Sequence, residues 1–147
     1  FFKKDKKLND EFYYYIKPIK NDISINLYKM KIDFIKNYCD SKKIPVFNCL
    51  QPDLFFKKNK SSFENEYEIF EGKKRREFTI SKLQDFEKKI FSHNYDDKYF
   101  KNLNMINCFD EFNETLYVDR SHVADKGYKI IAEMISSFIH KNKDIVL

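Results

Sequence analysis

Two side chains of complementary chemistry stand three residues apart in the stretch Tyr117-Val118-Asp119-Arg120-Ser121-His122. Residues i and i+3 of a turn lie close together. A carboxylate at Asp119 can therefore accept from one imidazole nitrogen of His122 and leave the other open as a base, the orienting part that the acid plays in a Ser-His-Asp triad. The pair alone is a weak signal. With 3 His and 13 Asp in 147 residues, chance supplies such a spacing about one time in four. Gly127, one of only 2 glycines, follows His122 by five residues, and demanding it as well lowers the chance to about one in 270. The competing reading makes Asp119 a helix-start cap and His122 a satisfied buried histidine. His93 and His140 read as surface residues. No two of the three histidines are near in sequence, so a zinc site is not expected.

A loop of this kind needs rigid neighbours, and the apolar periodicity supplies them. Ile23, Leu27, Met30, Phe34 and Tyr38 recur at helical spacing, predicting a helix over 22–41 that buries this stripe. Ile44 to Leu50 is short, mostly apolar and β-prone, as a buried parallel strand would be, and Gln51-Pro52-Asp53 stops it. Ser61 and Glu64 have the spacing of a capping box, so a helix is predicted from there to about residue 70, with Gly72 as its stop. The basic run Lys73-Lys74-Arg75-Arg76 reads as a solvated loop ahead of a second helix, roughly 77–91, with Phe78, Leu83, Phe86 and Ile90 on its apolar side. Residues 93–104 read as a polar connection and Met105–Phe109 as a second strand. A last helix over 124–141 has Ile130, Ile131, Met134, Ile135, Phe138 and Ile139 on one broad face.

The order helix, strand, helical insertion, strand, motif loop, helix fits one side of a parallel α/β sheet. Two strands make a poor parallel sheet by themselves. A complete enzyme of this size also carries more glycines than this, and the chain begins at Phe1 without an initiator Met. These observations predict one partial domain spanning residues 1–147, with a helical insertion at about 61–92.

Asp119, His122 and Gly127, with the small residue Ala132 in the following helix, resemble in identity and spacing the last conserved block of SGNH/GDSL-type hydrolases. In that block an Asp-x-x-His loop is followed by a glycine and the closing helix. Val123 departs from the Pro or Leu that often follows the histidine. The strand running from Ile44 to Gln51-Pro52 is similar to one that precedes an inserted helical region in many of these proteins. The resemblance implies the C-terminal part of a three-layer α/β/α fold and a serine hydrolase acting on ester or acyl bonds. It implies Asp119 and His122 as catalytic residues, with no metal or organic cofactor. The substrate would be a small-molecule, carbohydrate or lipid ester. The family's nucleophile lies in an early Gly-Asp-Ser block, and no serine of this chain sits in a glycine-flanked turn. Asn9-Asp10 has the Asn-Asp of the oxyanion block without its preceding glycine. The serine is thus expected outside this chain, which alone would be inactive. The alternative is a non-catalytic α/β interaction module or a degenerate paralogue.

Composition narrows the partners. The net charge is +5 and the pI about 8.9, but basic and acidic residues interleave, unlike the clustered charge of a nucleic-acid binder. No apolar run approaches the length of a membrane span. Cys39, Cys49 and Cys108 are odd in number and lack a metal-ligand spacing. They read as three buried, unpaired thiols, pointing to a reducing compartment such as the cytoplasm. Neither substrate nor oligomeric state is fixed by these features.

Overall fold

The computed structural model describes residues 21–91 and 97–145. The charged segment before Pro18, Asn9 and His93 lie outside the described residues. The protein is a mixture of helix and strand, broadly α/β, around a small parallel sheet.

Helix α1 (Asn21–Lys42) ends in a two-bond wrap. Ile44 N–H reaches back to the Cys39 carbonyl (2.8 Å) and Lys43 N–H to that of Asp40 (3.1 Å). Lys43 takes the left-handed conformation that this wrap requires, with φ of 55°. The chain then enters β1 (Val46–Leu50). A turn of 3-10 helix at Leu54–Phe56 and a loop lead to α2 (Ser62–Glu71). Gly72, at a φ of 83° that only glycine adopts without strain, joins it to α3 (Lys73–Phe86). A π-type turn at Glu87–Phe91 follows. Strand β2 (Phe100–Asn104) returns parallel to β1, in register from Val46 opposite Phe100 to Leu50 opposite Asn104. Parallel neighbours need a crossover, and the helical arm α2–α3 is that crossover. Inside the sheet, Asn48 Nδ2 donates to Asn102 Oδ1 of its register partner at 2.9 Å. Helix α4 (Asp125–Lys141) packs Phe138 edge-on against Phe47 of β1, with ring centroids 5.8 Å apart.

The arm behaves as its sequence predicts at its start. Ser61 accepts from Glu64 N–H, Glu64 accepts from Ser61 N–H, and the capping box is complete. It differs at the basic run. Lys73–Arg76 forms the first turn of α3 rather than a loop, because the Gly72 turn restarts the helix at once. Cations at a helix N-terminus oppose the macrodipole, and here they are compensated by acids. Arg75 pairs with Glu71, and Arg76 Nε lies 2.5 Å from Glu68.

Three further expectations are corrected. The second strand is Phe100–Asn104 and not Met105–Phe109. Its Lys101, Asn102 and Asn104 gave it the look of a polar connection. Residues 105–111 instead make successive tight turns, with Cys108 N–H bonded to the Met105 carbonyl and Asp110 N–H to that of Asn107. Those turns bury Met105, Ile106 and Phe109. On α1 the buried residues are Ile25 and Ile32. The stripe Ile23, Leu27, Met30, Phe34 and Tyr38 faces outward, with Phe34 at 73% exposure. Both faces carry apolar residues, and periodicity cannot tell which one meets the sheet. On α4 the residues Ile130, Ile131, Met134, Ile135 and Phe138 are half-buried, and Ile139 is exposed. The three cysteines are unpaired, as expected, but half-buried.

The tightest core is not between helices and sheet. Leu54, Phe109, Leu116, Tyr117 and Val123 form it, directly beneath the Asp119–His122 loop, with Tyr117 edge-on to Phe109 at 5.4 Å. No helix of the described residues is long and apolar enough to cross a membrane. The distribution of burial gives a paired expectation, read by urea unfolding of the chain. Phe109→Ala lowers stability by about 3–5 kcal/mol, whereas Phe34→Ser, apolar though the wild-type residue is, changes it by no more than about 0.5 kcal/mol.

Candidate active site

The stretch Leu116–Ala124 folds back on itself as a short hairpin. Tyr117 and Val123 form an antiparallel bridge. Val118 N–H donates to the His122 carbonyl (3.0 Å) and Ala124 N–H to that of Leu116 (2.8 Å). Residues 119–122 are the tip, and Asp119 organises it. Its Oδ1 accepts from the N–H groups of Ser121 and His122, each at 2.8 Å. Asp favours turns through side-chain bonds of this kind to the backbone two and three residues on. Its Oδ2 lies 2.7 Å from His122 Nδ1. A carboxylate only accepts, so the imidazole proton belongs on Nδ1 and Nε2 carries the lone pair. The His122 side chain is 70% exposed, and among the described residues no group bonds its Nε2. The structure therefore brings the two predicted residues together. It leaves His122 neither buried nor satisfied, and α4 starts only at Asp125, so Asp119 is not its cap.

Partial burial of the Asp119 carboxyl pushes its pKa up. The ring of His122 and the two backbone N–H groups outweigh that, and the net position is below the ordinary 3.8. An ion pair as exposed as this contributes about 0–1 kcal/mol, so it does not hold the loop in place by itself.

The loop's placement comes from below and from the side. Glu64, fully buried, accepts from Leu116 N–H (2.9 Å) and Tyr117 N–H (3.1 Å) through Oε1. Its Oε2 accepts from Lys57 Nζ (2.6 Å) and Ser61 N–H (2.9 Å). The Lys57 side chain is equally buried and also donates to the Glu114 carbonyl (2.6 Å). Burial pushes the Glu64 carboxyl up, but Lys57 and the N–H donors bring it below the usual glutamate range. On the flank, Leu54 N–H donates to the Arg120 carbonyl (3.0 Å), and Arg120 Nε lies 3.5 Å from Asp53. Burial raises the Asp53 carboxyl despite that guanidinium. From α2, Tyr67 donates to Glu71 at 3.0 Å. Its hydroxyl is pushed up to about 12, by burial first and then by Glu71, with the Asp119 charge contributing.

Gly127 is where α4 meets the loop. A Cβ there would sit 2.9 Å from Val123 Cβ and 3.1 Å from the Leu116 carbonyl oxygen, closer than real Cβ atoms pack. The glycine five residues after the histidine is thus required by the approach of helix to hairpin. Sequence reasoning read Glu64 only as a capping residue and passed over Lys57. Nothing local marks a lysine whose partner is a helix-cap glutamate.

Among the described residues no group of His, Cys, Asp and Glu could hold a metal ion. A groove of about 370 Å³ between β2 and α4, lined by Leu103, Phe112, Ile130, Met134, Phe138 and Lys141, includes no residue of the hairpin tip. Ser61 Oγ is occupied by Glu64 N–H and the Thr115 hydroxyl, and Ser41 Oγ by the Tyr38 carbonyl. No family model, curated protein or solved structure matches the chain.

Two outcomes follow from this geometry. Gly127→Ala costs about 1–3 kcal/mol from overpacking, against a helix-propensity gain of at most about 1 kcal/mol, so urea unfolding shows a net loss. Asp119 has a depressed folded-state pKa, so its contribution is present above the ordinary 3.8 and lost as pH falls through the lower folded value. The stability advantage of the parent over Asp119→Asn accordingly falls away in acid. Thermal unfolding across pH 2–7 reads it.

Proposed function

We propose that the chain is the C-terminal part of an SGNH/GDSL-type serine hydrolase acting on ester or acyl bonds, built on a three-layer α/β/α domain. The observation that carries this is the Asp119 Oδ2–His122 Nδ1 contact of 2.7 Å with Nε2 left open, on a loop locked to its closing helix at Gly127. In this reading a serine from a segment outside the chain attacks the substrate carbonyl. Its Oγ–H proton passes to His122 Nε2 as the Oγ–C bond forms. Asp119 fixes the tautomer and stabilises the imidazolium. His122 then returns the proton to the leaving alkoxide as the tetrahedral intermediate collapses. A water attacks the acyl-enzyme in the second half, giving its proton to Nε2 and regenerating the serine hydroxyl. The oxyanion donors also come from outside the chain. The helical arm α2–α3 comes near Asp119 through Tyr67, and in this reading it would border the entrance for a small-molecule, carbohydrate or lipid ester.

A second reading is a non-catalytic interaction module, and the outward apolar stripe of α1 is the observation that favours it. One experiment separates them. The protein is made with the coding sequence that precedes Phe1, and hydrolysis of p-nitrophenyl acetate is followed. The hydrolase reading expects an in-frame Gly-Asp-Ser block, turnover in the longer protein and none in the 147-residue chain. His122→Ala then reduces kcat by roughly four to six orders of magnitude, because members of a triad act as a unit. Activity indifferent to that substitution, or a longer protein with no turnover, supports the module instead.

A further inference from the structure

The bonds inside the Asp119–His122 turn are partly exposed, and an ion pair of that kind, worth about 0–1 kcal/mol, persists only while the two stems of the hairpin are held in place. The turn stands at the tip of a hairpin, its acid and base are both solvent-facing, and its two strands are held to each other by only two backbone bonds. The hairpin is fixed to the body of the protein on one flank by Leu54 N–H on the Arg120 carbonyl, and at its base by Leu116 and Tyr117, whose N–H groups both end on one oxygen of Glu64. The other oxygen faces the buried ammonium of Lys57 and the Ser61 N–H. Four donors and two oxygens leave no spare acceptor.

We propose that Glu64 is the positioning residue of the Asp119–His122 turn, with Lys57 as the counter-charge that keeps its carboxylate ionised and aimed at the hairpin. The catalytic meaning of this assignment rests on the hydrolase reading above. The consequence is that the arm and the base are coupled. Whatever disturbs the start of α2, where Lys57, Ser61 and Glu64 meet, loosens the base of the hairpin that presents His122. The direction of the effect follows from donor counting. An amide at position 64 has one oxygen and one NH2. A buried ammonium tolerates loss of its acceptor far less well than a backbone N–H does, so the amide oxygen stays with Lys57 and the NH2 confronts the N–H groups of Leu116 and Tyr117. Removing the ammonium as well frees the oxygen to turn back to the hairpin.

The test uses the 147-residue chain and two NMR readouts, the carbon-detected titration of the Asp119 carboxyl and the hydrogen exchange of the Leu116 and Tyr117 amides. His122→Ala is the reference for a lost pair, and it should raise the Asp119 midpoint. In Glu64→Gln the midpoint should move most of the way to that reference while α4 keeps its amide signals, and exchange at Leu116 and Tyr117 should quicken by about tenfold or more. The double variant Lys57→Met/Glu64→Gln should return both readouts toward the parent. A residue that only anchored α2 would not move Asp119 at all. An unmoved Asp119 midpoint in folded Glu64→Gln, or a double variant no closer to the parent than the single one, overturns the positioning role and leaves the hydrolase reading standing. An unmoved midpoint in His122→Ala overturns both, since the pair then does not exist in solution. Should Glu64→Gln not fold, the parent protein decides. Leu116 and Tyr117 amides as protected as those of α2 support the assignment, and exchange at the rate of a free loop refutes it.

Discussion

A carboxylate taken wholly out of water at Glu64, with an ammonium taken out of water beside it at Lys57, sets the terms for everything around the candidate site. Burying either charge alone is prohibitive. Removing one partner of such a pair costs about 3–5 kcal/mol because the other is left uncompensated. The pair is tolerated only when the remaining lone pairs and protons also find partners, and here they do, at Ser61, Leu116, Tyr117 and the Glu114 carbonyl. That requirement draws the 57–61 loop, the first turn of α2 and the base of the hairpin into one block. Apolar residues at 57 and 64 could fill the same volume, but they would leave the two hairpin N–H groups without an acceptor. The polarity of the block, rather than its bulk, is what ties the arm to the turn.

Much of this region is legible in the sequence where the signal is local. Ser61 and Glu64 announce a helix start three residues apart and Asp119 and His122 announce a turn, and the structure returns both; that no Cβ fits at Gly127 is visible only in the fold. What local pattern misses is each feature whose cause lies far along the chain. Lys57 is charged and looks like surface; only Glu64 and Glu114, the latter 57 residues on, make it core. Strand β2 is polar in composition because Lys101, Asn102 and Asn104 are edge or paired positions, Asn102 meeting Asn48 across the register. The turns at 105–111 look like a strand because they carry the apolar residues that pack beneath the hairpin. Helix α1 shows two candidate faces, and the burial of Ile25 and Ile32 rather than Leu27 and Phe34 is decided by tertiary packing, not by the period of the apolar residues.

The apolar surface is shared unevenly. The residues under the hairpin are nearly inaccessible, whereas α1 and α4 keep large side chains half or fully open. A parallel sheet is ordinarily covered on both faces and built from more than two strands. Side chains elsewhere are as inaccessible, Ile90 and the β2 residue Phe100 among them, so the hairpin core is one of the well-packed parts of the molecule and the open apolar surface lies on the outer faces of the helices.

The parallel pairing of β1 with β2 has a consequence for how the molecule comes into being. Asn48 and Asn102 are 54 residues apart, and Glu64 and Leu116 are 52 apart. A protein dominated by such distant pairings forms them late, since the entropy of closing the intervening chain must be met before any contact repays it. During synthesis, at roughly 5–20 residues per second, α2 waits roughly three to ten seconds for its hairpin to emerge. Throughout that interval Lys57 lacks the Glu114 carbonyl and Glu64 lacks the N–H groups of Leu116 and Tyr117, so the burial of this ion pair cannot be completed until the hairpin has emerged.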